Sequence, residues 1–210
     1  MLDFIEVNIH SSIRITDKKI IYVDPFQITN ETHDADIILI THDHFDHYST
    51  DDISKVMKSD TVIVYPESMD DTKDLGLTEE RVAPCTAFSV YDIKMETVPA
   101  YNILKPYHLK RSGWVGYIIN SEKHGRIYIA GDTDIHPINK AVKCRIAMLP
   151  IGGTYTMNAK QAAQLANIIK PEYVIPLHYG TLIGDYKDAE LFASKVQNGI
   201  KPVIKINAKI

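Results

Sequence analysis

His42, His44, Asp46 and His47 fall within six positions, in the order H-x-H-x-D-H. Imidazole nitrogens beside a carboxylate suit zinc or another first-row divalent ion, because calcium and magnesium prefer all-oxygen shells. A histidine-rich surface turn is the bland alternative, and the order and flanks of the motif argue against it. The motif follows Ile37-Ile38-Leu39-Ile40-Thr41, a β-branched run suited to a strand buried on both faces. The same construction recurs twice. Arg126-Ile127-Tyr128-Ile129-Ala130 ends in Gly131-Asp132-Thr133-Asp134, and Tyr173-Val174-Ile175-Pro176-Leu177 ends in His178-Tyr179-Gly180. In sheets packed between helices functional groups collect at strand ends. Neighbouring strands would therefore bring Asp132 and His178 to the first motif.

The elements that must position these ends are strands and helices interleaved without a linker. Ile13-Arg14-Ile15 and Ile20-Ile21-Tyr22-Val23 read as a hairpin about Asp17-Lys18-Lys19. Ser49-Thr50-Asp51-Asp52 offers a helix N-cap and an acidic first turn, followed by a stripe of Ile53, Val56 and Met57. Thr61 to Val64 reads as a strand, Asp70 to Gly76 as a short helix with a glycine stop, and Ile93 to Val98 as a strand. Val115 to Asn120 pairs with Arg126 to Ala130 across Glu122-Lys123-His124-Gly125. Asn158 to Lys170 is the clearest helix, with Ala162, Leu165, Ala166 and Ile169 on one face and Pro171 beyond its end. Asp188 to Val196 is the last helix and Pro202 to Ile206 the last strand.

The composition is that of an ordinary globular enzyme: 210 residues, 45% hydrophobic and 24% charged. That length supports one domain over residues 1–210 with a substantial core. Cys85 and Cys144 lack C-x-x-C spacing and are expected reduced, not part of a secreted disulfide framework. No basic segment followed by an apolar stretch opens the chain, and no apolar run reaches the length of a membrane span. The expected location is the cytoplasm. A net charge of −4 argues against a chain-wide nucleic-acid surface. The expected partner is a small-molecule substrate, and a homo-oligomer stays open.

These residues resemble the metallo-β-lactamase superfamily across almost the whole chain. Val23-Asp24-Pro25-Phe26 is similar to its early strand ending in an acidic residue, and Ala130-Gly131-Asp132-Thr133 to its bridging-aspartate motif. Pro176-Leu177-His178-Tyr179-Gly180 is similar to its final histidine. The set looks closest to the small single-domain branch that includes the ascorbate-6-phosphate lactonases, and Leu149 to Met157 resembles a loop typical of that branch. The resemblance implies an α/β fold, the αββα sandwich of two packed mixed sheets with helices on the outer faces. It implies two divalent ions, with zinc favoured over manganese or iron. His42 and His44 would face one metal, Asp46, His47 and His178 the second, and Asp132 would bridge them. Residues two apart in an extended segment point the same way, which lets His42 and His44 reach one ion together. A water shared by two such ions is acidified from a pKa of 15.7 to about 7 and becomes the nucleophile. Oxygen-reducing di-iron members carry glutamate where this chain has His44, which favours the hydrolytic branch.

One position departs from the pattern. The family's third histidine for the first metal belongs near the end of Val98-Pro99-Ala100-Tyr101-Asn102, where this chain has Asn102, a poor zinc ligand. His108 is the nearest replacement. Either its loop folds back, so that His108 coordinates the metal or handles the leaving group, or His108 is a loop residue without a role. Asp24 is expected to accept a hydrogen bond from a ligand histidine, or to be a turn residue before Pro25. Lys105, Lys110 and Arg111 form a basic cluster able to hold an anion, or a solvated loop. His136 is a weaker candidate for the pocket, Tyr101 and Tyr155 line it or pack, His10 supports a ligand or ends a strand, and His33 and His124 are expected in solvent.

The function expected is metal-dependent hydrolysis of a small, anionic, ester-like substrate, a lactone or phosphoester. The rivals are a nuclease or phosphodiesterase acting on nucleic acid, and a non-catalytic metal-bearing domain whose first site has degenerated.

Overall fold

The apolar run Ala35–Leu39 is buried along its whole length because both of its faces are covered. In the computed structural model, which describes residues 2–70 and 72–206, this run is β4 of a six-stranded sheet. The order is β1 (Ile5–Val7), β2 (Ile13–Thr16), β3 (Ile20–Val23), β4, β5 (Met57–Pro66) and β6 (Thr78–Val82). The first three strands pair antiparallel, and β3 to β6 pair parallel. The second sheet has seven strands: β7 (Ala87–Val90), β8 (Ile93–Pro99), β9 (Val115–Ser121), β10 (Gly125–Ile129), β11 (Ile146–Pro150), β12 (Tyr173–Leu177) and β13 (Lys201–Pro202). Strands β7 to β10 are antiparallel and β10 to β13 parallel, so both sheets are mixed.

Strand alternation divides the apolar side chains into layers. Ile37, Leu39 and Val64 of the first sheet meet Ile129, Met148 and Ile175 of the second in the central core. Ile38, Ile40, Ile63 and Tyr65 face the other way and are covered by Ile53 and Val56 of helix α1 (Thr50–Val56). Tyr128, Ala147, Leu149 and Val174 are covered in turn by α3 (Ala159–Ile169) and α4 (Tyr186–Lys195), the short α2 being Pro137–Lys140. The layers run helix, sheet, sheet, helix, the αββα sandwich expected.

The hairpin β2–β3, the pair β9–β10 and helix α3 form where the sequence places them. Helix α3 is capped at Asn158 with a reciprocal Gln161 contact, and ends at Lys170 before Pro171. Four expectations need correction. Met57 does not extend the helical stripe; it is already extended (φ −69°, ψ 152°) and opens β5. No helix spans Asp70 to Gly76 among the described residues; Asp71 lies outside them, Lys73 N–H donates to the Tyr48 hydroxyl, and Gly76 N–H to the Asp74 carboxylate. The last strand is only Lys201–Pro202, although Val203 N–H still donates to the Val174 carbonyl at 2.8 Å. Leu149 and Pro150, read as the start of a loop, close β11. No described helix is long and apolar enough to cross a membrane.

Candidate metal centre

The C-terminal ends of β3, β4, β8, β10 and β12 reach one edge of the sandwich, and the segments leaving them carry Asp24, the histidine motif, His108, Asp132 and His178. Gly131 adopts φ +64° in the turn before Asp132, a conformation glycine takes without a Cβ penalty. Gly152 answers a different need. A Cβ there would lie 2.5 Å from the His178 carbonyl oxygen and 2.7 Å from Ile183 Cγ2, so only glycine lets this loop pass beside His178.

Asp24 organises the first histidines. Its Oδ1 accepts from Thr41 N–H at 2.8 Å, and its Oδ2 from the Thr41 hydroxyl and from His47 Nδ1, both at 2.7 Å. The Thr41 oxygen, its proton given to Asp24, lies 2.9 Å from His42 Nδ1 and accepts from it. Both imidazoles thus carry a proton on Nδ1, and in the neutral ring each offers Nε2 to a ligand. Buried as they are, those two Nε2 atoms form no hydrogen bond, and neither does Asp132 Oδ1. A buried polar atom without a partner costs about 1–3 kcal/mol. A cation among them removes that cost, so the donor set fits a divalent metal on its own chemistry.

The side chains that could hold an ion fall into overlapping groups: His42, His44 and His108; His10, Asp46, His47 and His178; and His42, His47 and Asp132. Asp132 joins them. Its Oδ1 is 3.5 Å from His47 Nε2, and its Oδ2 is 3.0 Å from His178 Nε2 and 3.3 Å from His108 Nε2. Asp46 Oδ2 lies 3.5 Å from His47 Nε2 and 3.6 Å from His178 Nε2. The six residues expected as ligands are therefore brought together, with His108 beside them.

His108 reaches the centre because its loop folds back. Asn102 N–H donates to the His108 carbonyl at 2.7 Å, and Asn102 Nδ2 donates to the Tyr155 carbonyl at 2.7 Å. That second bond fixes the amide, since its oxygen cannot face a carbonyl oxygen. The same Nδ2 lies 3.3 Å from His108 Nδ1, which must accept. Asn102 thus acts on His108 rather than on a metal, and it leaves the His108 proton on Nε2.

Two participants were harder to read from sequence. His10 is fully buried, lies tilted against His178 with centroids 3.7 Å apart, and places Nε2 3.0 Å from Asp46 Oδ2. Trp114 lies 4.8 to 5.3 Å, centroid to centroid, from His42, His44 and His108. The only tryptophan of the chain, at the end of the loop with the displaced histidine, was the available signal. Other candidates fall away. His136 is buried as the N-cap of α2, bonds the Pro99 carbonyl through Nε2 and stacks on Tyr101, so both rings serve packing. Burial pushes the His136 imidazole down to about 4. His124 is not in solvent but stacks on Phe4 at 3.5 Å, while His33 is exposed as expected. The basic cluster does not assemble. Lys105 is held by Asp134 at 2.7 Å and by the Thr156 carbonyl, Lys110 lies over the Tyr101 ring, and Arg111 is exposed.

A cavity of about 390 Å³ opens onto the centre, lined by His10, His44, Asp46, His108, Asp132 and His178 and walled by Phe45, Tyr107, Tyr155, Leu182 and Ile183. A larger depression of about 660 Å³ near Lys18 and Arg126 contains no histidine or cysteine and sets four cations against three carboxylates. The chemistry lies in the smaller one.

A family model of the beta-lactamase superfamily domain matches residues 5–178. The chain belongs to the β-lactamase superfamily. Within that superfamily, a UPF0173 metal-dependent hydrolase of Methanosphaera stadtmanae is 32% identical, over 91% of this chain and 90% of its own. The crystal structure of a metal-dependent hydrolase from Parabacteroides distasonis superposes with a TM-score of 0.81 at 34% identity, covering 97% of this chain and 93% of that one. The metallo hydrolase Igni18 of Ignicoccus hospitalis shares the fold at 23% identity, with a TM-score of 0.78 over 95% of this chain and 93% of its own. This superfamily member is thus a metal-dependent hydrolase of the UPF0173 group.

Superfamily membership sharpens the electrostatics. Burial alone would raise the Asp132 carboxyl, but His178, His47 and His108 hold it well below its usual range. Burial alone would lower His178, but the Asp132 and Asp46 carboxylates push it up to about 9, and Asp132 and Asp24 raise His47 likewise. A divalent ion needs neutral imidazoles, so it must displace these protons. Metal uptake near neutral pH should release protons into weakly buffered solution, and affinity should climb with pH and level off above about 9. Uptake without proton release would place those protons elsewhere.

Proposed function

We propose that the protein hydrolyses a small ester-like substrate, a lactone or phosphoester, at this centre with two divalent ions, zinc before manganese or iron. The observation that carries the reading is the convergence of buried imidazole nitrogens on the two oxygens of Asp132 beneath an open cavity. His42, His44 and Asp132 would hold one ion, and Asp46, His47, His178 and Asp132 the other. Ions held there supply an acidified water at neutral pH and a counter-charge for the oxygen that becomes negative.

The remaining work falls to the chain. Asp24 and Thr41 keep His42 and His47 in the tautomers that offer Nε2, as carboxylates behind ligand histidines do. His10 fixes Asp46 from behind. His108, its Nε2 proton set by Asn102, faces the cavity as the donor to the departing alkoxide. The non-catalytic reading rested on the missing third histidine; against it stands His108 placed as a proton donor at the cavity, beside His42 and His44. A cytoplasmic site of action with a small-molecule partner fits Cys85 and Cys144 as free thiols.

A screen of lactones, phosphodiesters and phosphorylated sugars against zinc- and manganese-loaded protein tests the reading. Turnover of an ester class, abolished by chelation and falling as pH drops, is expected. A rate indifferent to chelator and to His47→Ala would refute it.

A further inference from the structure

The walls of the cavity differ in kind from its buried floor. Phe45, Tyr107, Tyr155 and Leu182 are among the ten large hydrophobic side chains exposed among the described residues, at 69%, 45%, 38% and 48%, and all four line this one cavity. Scattered exposed apolar residues are ordinary, but their collection around one concave site marks a binding surface. Ile183 completes the wall, and no lysine or arginine lines the cavity. Lys105, in the loop that carries Tyr107 and His108, is tied to Asp134 and the Thr156 carbonyl.

We propose that the cavity selects an uncharged ester or lactone bearing an apolar chain or ring, held by Phe45, Tyr107, Tyr155, Leu182 and Ile183, over phosphorylated or carboxylated substrates. The inference rests on the hydrolytic reading above and names its substrate class. The walls are braced in advance: Tyr107 and Tyr155 meet edge to face at 4.7 Å, and Phe26 supports Phe45 edge-on at 6.1 Å. Such preorganised aromatic surface binds apolar groups with little ordering cost. The wall is also built into the reactive segments, since Phe45 stands between His44 and Asp46, and Tyr107 beside His108.

A phosphate group would find no guanidinium or ammonium here to pair with. A neutral ester needs none in the ground state. Its charge appears only when a water oxygen bonds to the acyl carbon, and the acyl carbon–oxygen bond then breaks. The alkoxide takes a proton to become an alcohol, and the acyl part leaves as a carboxylate. Stabilisation reserved for the transient oxyanion accelerates the reaction rather than merely binding substrate.

Affinity and turnover are measured separately. Cyclopentanone and 2-hexylcyclopentanone, which lack a scissile ester, are titrated calorimetrically into the metal-loaded protein beside phenyl phosphate. The hydrolysis of γ-butyrolactone and γ-decalactone is followed by pH-stat. The hexyl chain should tighten binding about tenfold or more, a fraction of what full burial of six methylene-sized groups allows. Leu182→Asp and Tyr107→Ser, at exposed positions that tolerate polar groups, should each remove most of that gain. The preference for γ-decalactone over γ-butyrolactone in kcat/KM should follow the same order. Equal affinity for the two ketones, or tighter binding of phenyl phosphate than of the hexyl ketone, overturns the proposal. Chain-dependent binding without hydrolysis of either lactone supports the apolar pocket and instead overturns the ester-hydrolysis reading.

Discussion

Asp132→Ala should strip the protein of most of its metal and lower turnover on the order of a thousandfold or more, the scale of losing a principal electrostatic stabiliser. The reason is the position of its two oxygens, one 3.5 Å from His47 Nε2, the other 3.0 Å from His178 Nε2 and 3.3 Å from His108 Nε2. No other described carboxylate faces both groups of histidines. Without it, two buried cations would repel each other unshielded, and His47 and His178 would lose the charge that raises them. Elemental analysis of freshly purified protein is the measurement. The control is His124→Ala, whose ring stacks on Phe4 away from the centre. Equal metal retention in the two variants would remove Asp132 from the bridge.

His108→Ala should lower turnover about a hundredfold, the scale of a positioned proton donor, and leave the fold intact. Because Asn102 Nδ2 faces His108 Nδ1, the proton sits on Nε2 and that atom is a donor rather than a ligand. The variant should therefore keep the metal content of the parent protein, while esters with better leaving groups, which need less protonation, should recover part of the lost rate. Loss of one metal equivalent with no such recovery would make His108 a ligand of the first ion. Near-normal turnover at full metal content would make it a bystander.

The histidine motif was legible because it follows a strand whose apolar residues run unbroken, and that pattern survives folding. Asp132 and His178 were legible for the same reason, at the ends of β10 and β12. Strand β6 was not, because Thr78-Glu79-Glu80-Arg81 lie exposed at the sheet edge, where pairing needs no apolar alternation. Met57 shows how tertiary context overrides pattern: its spacing suits the helix, but pairing with Ala35 draws it into β5. The role of His10 stayed one of two alternatives because its partners, Asp46 and His178, are 36 and 168 positions away. The basic loop stayed open between an anion site and a solvated loop because charge count says nothing of orientation, and Lys105 turns to Asp134.

His10, Asp24, His108 and His178 all have positive φ, at 55°, 46°, 50° and 59°. None is glycine, and each such residue costs on the order of 1–3 kcal/mol unless its surroundings impose the conformation. An isolated segment would not hold any of them so. Two belong to segments flanking strands of the first sheet and two to segments flanking strands of the second, so the geometry exists only once the sheets have docked. The metal-free protein is therefore expected to keep its fold, in contrast to a zinc finger, whose ion organises a chain otherwise unfolded, and circular dichroism with and without chelator checks it. Metal would then be the last part installed in a finished frame, and a cell short of it would hold this protein folded and waiting.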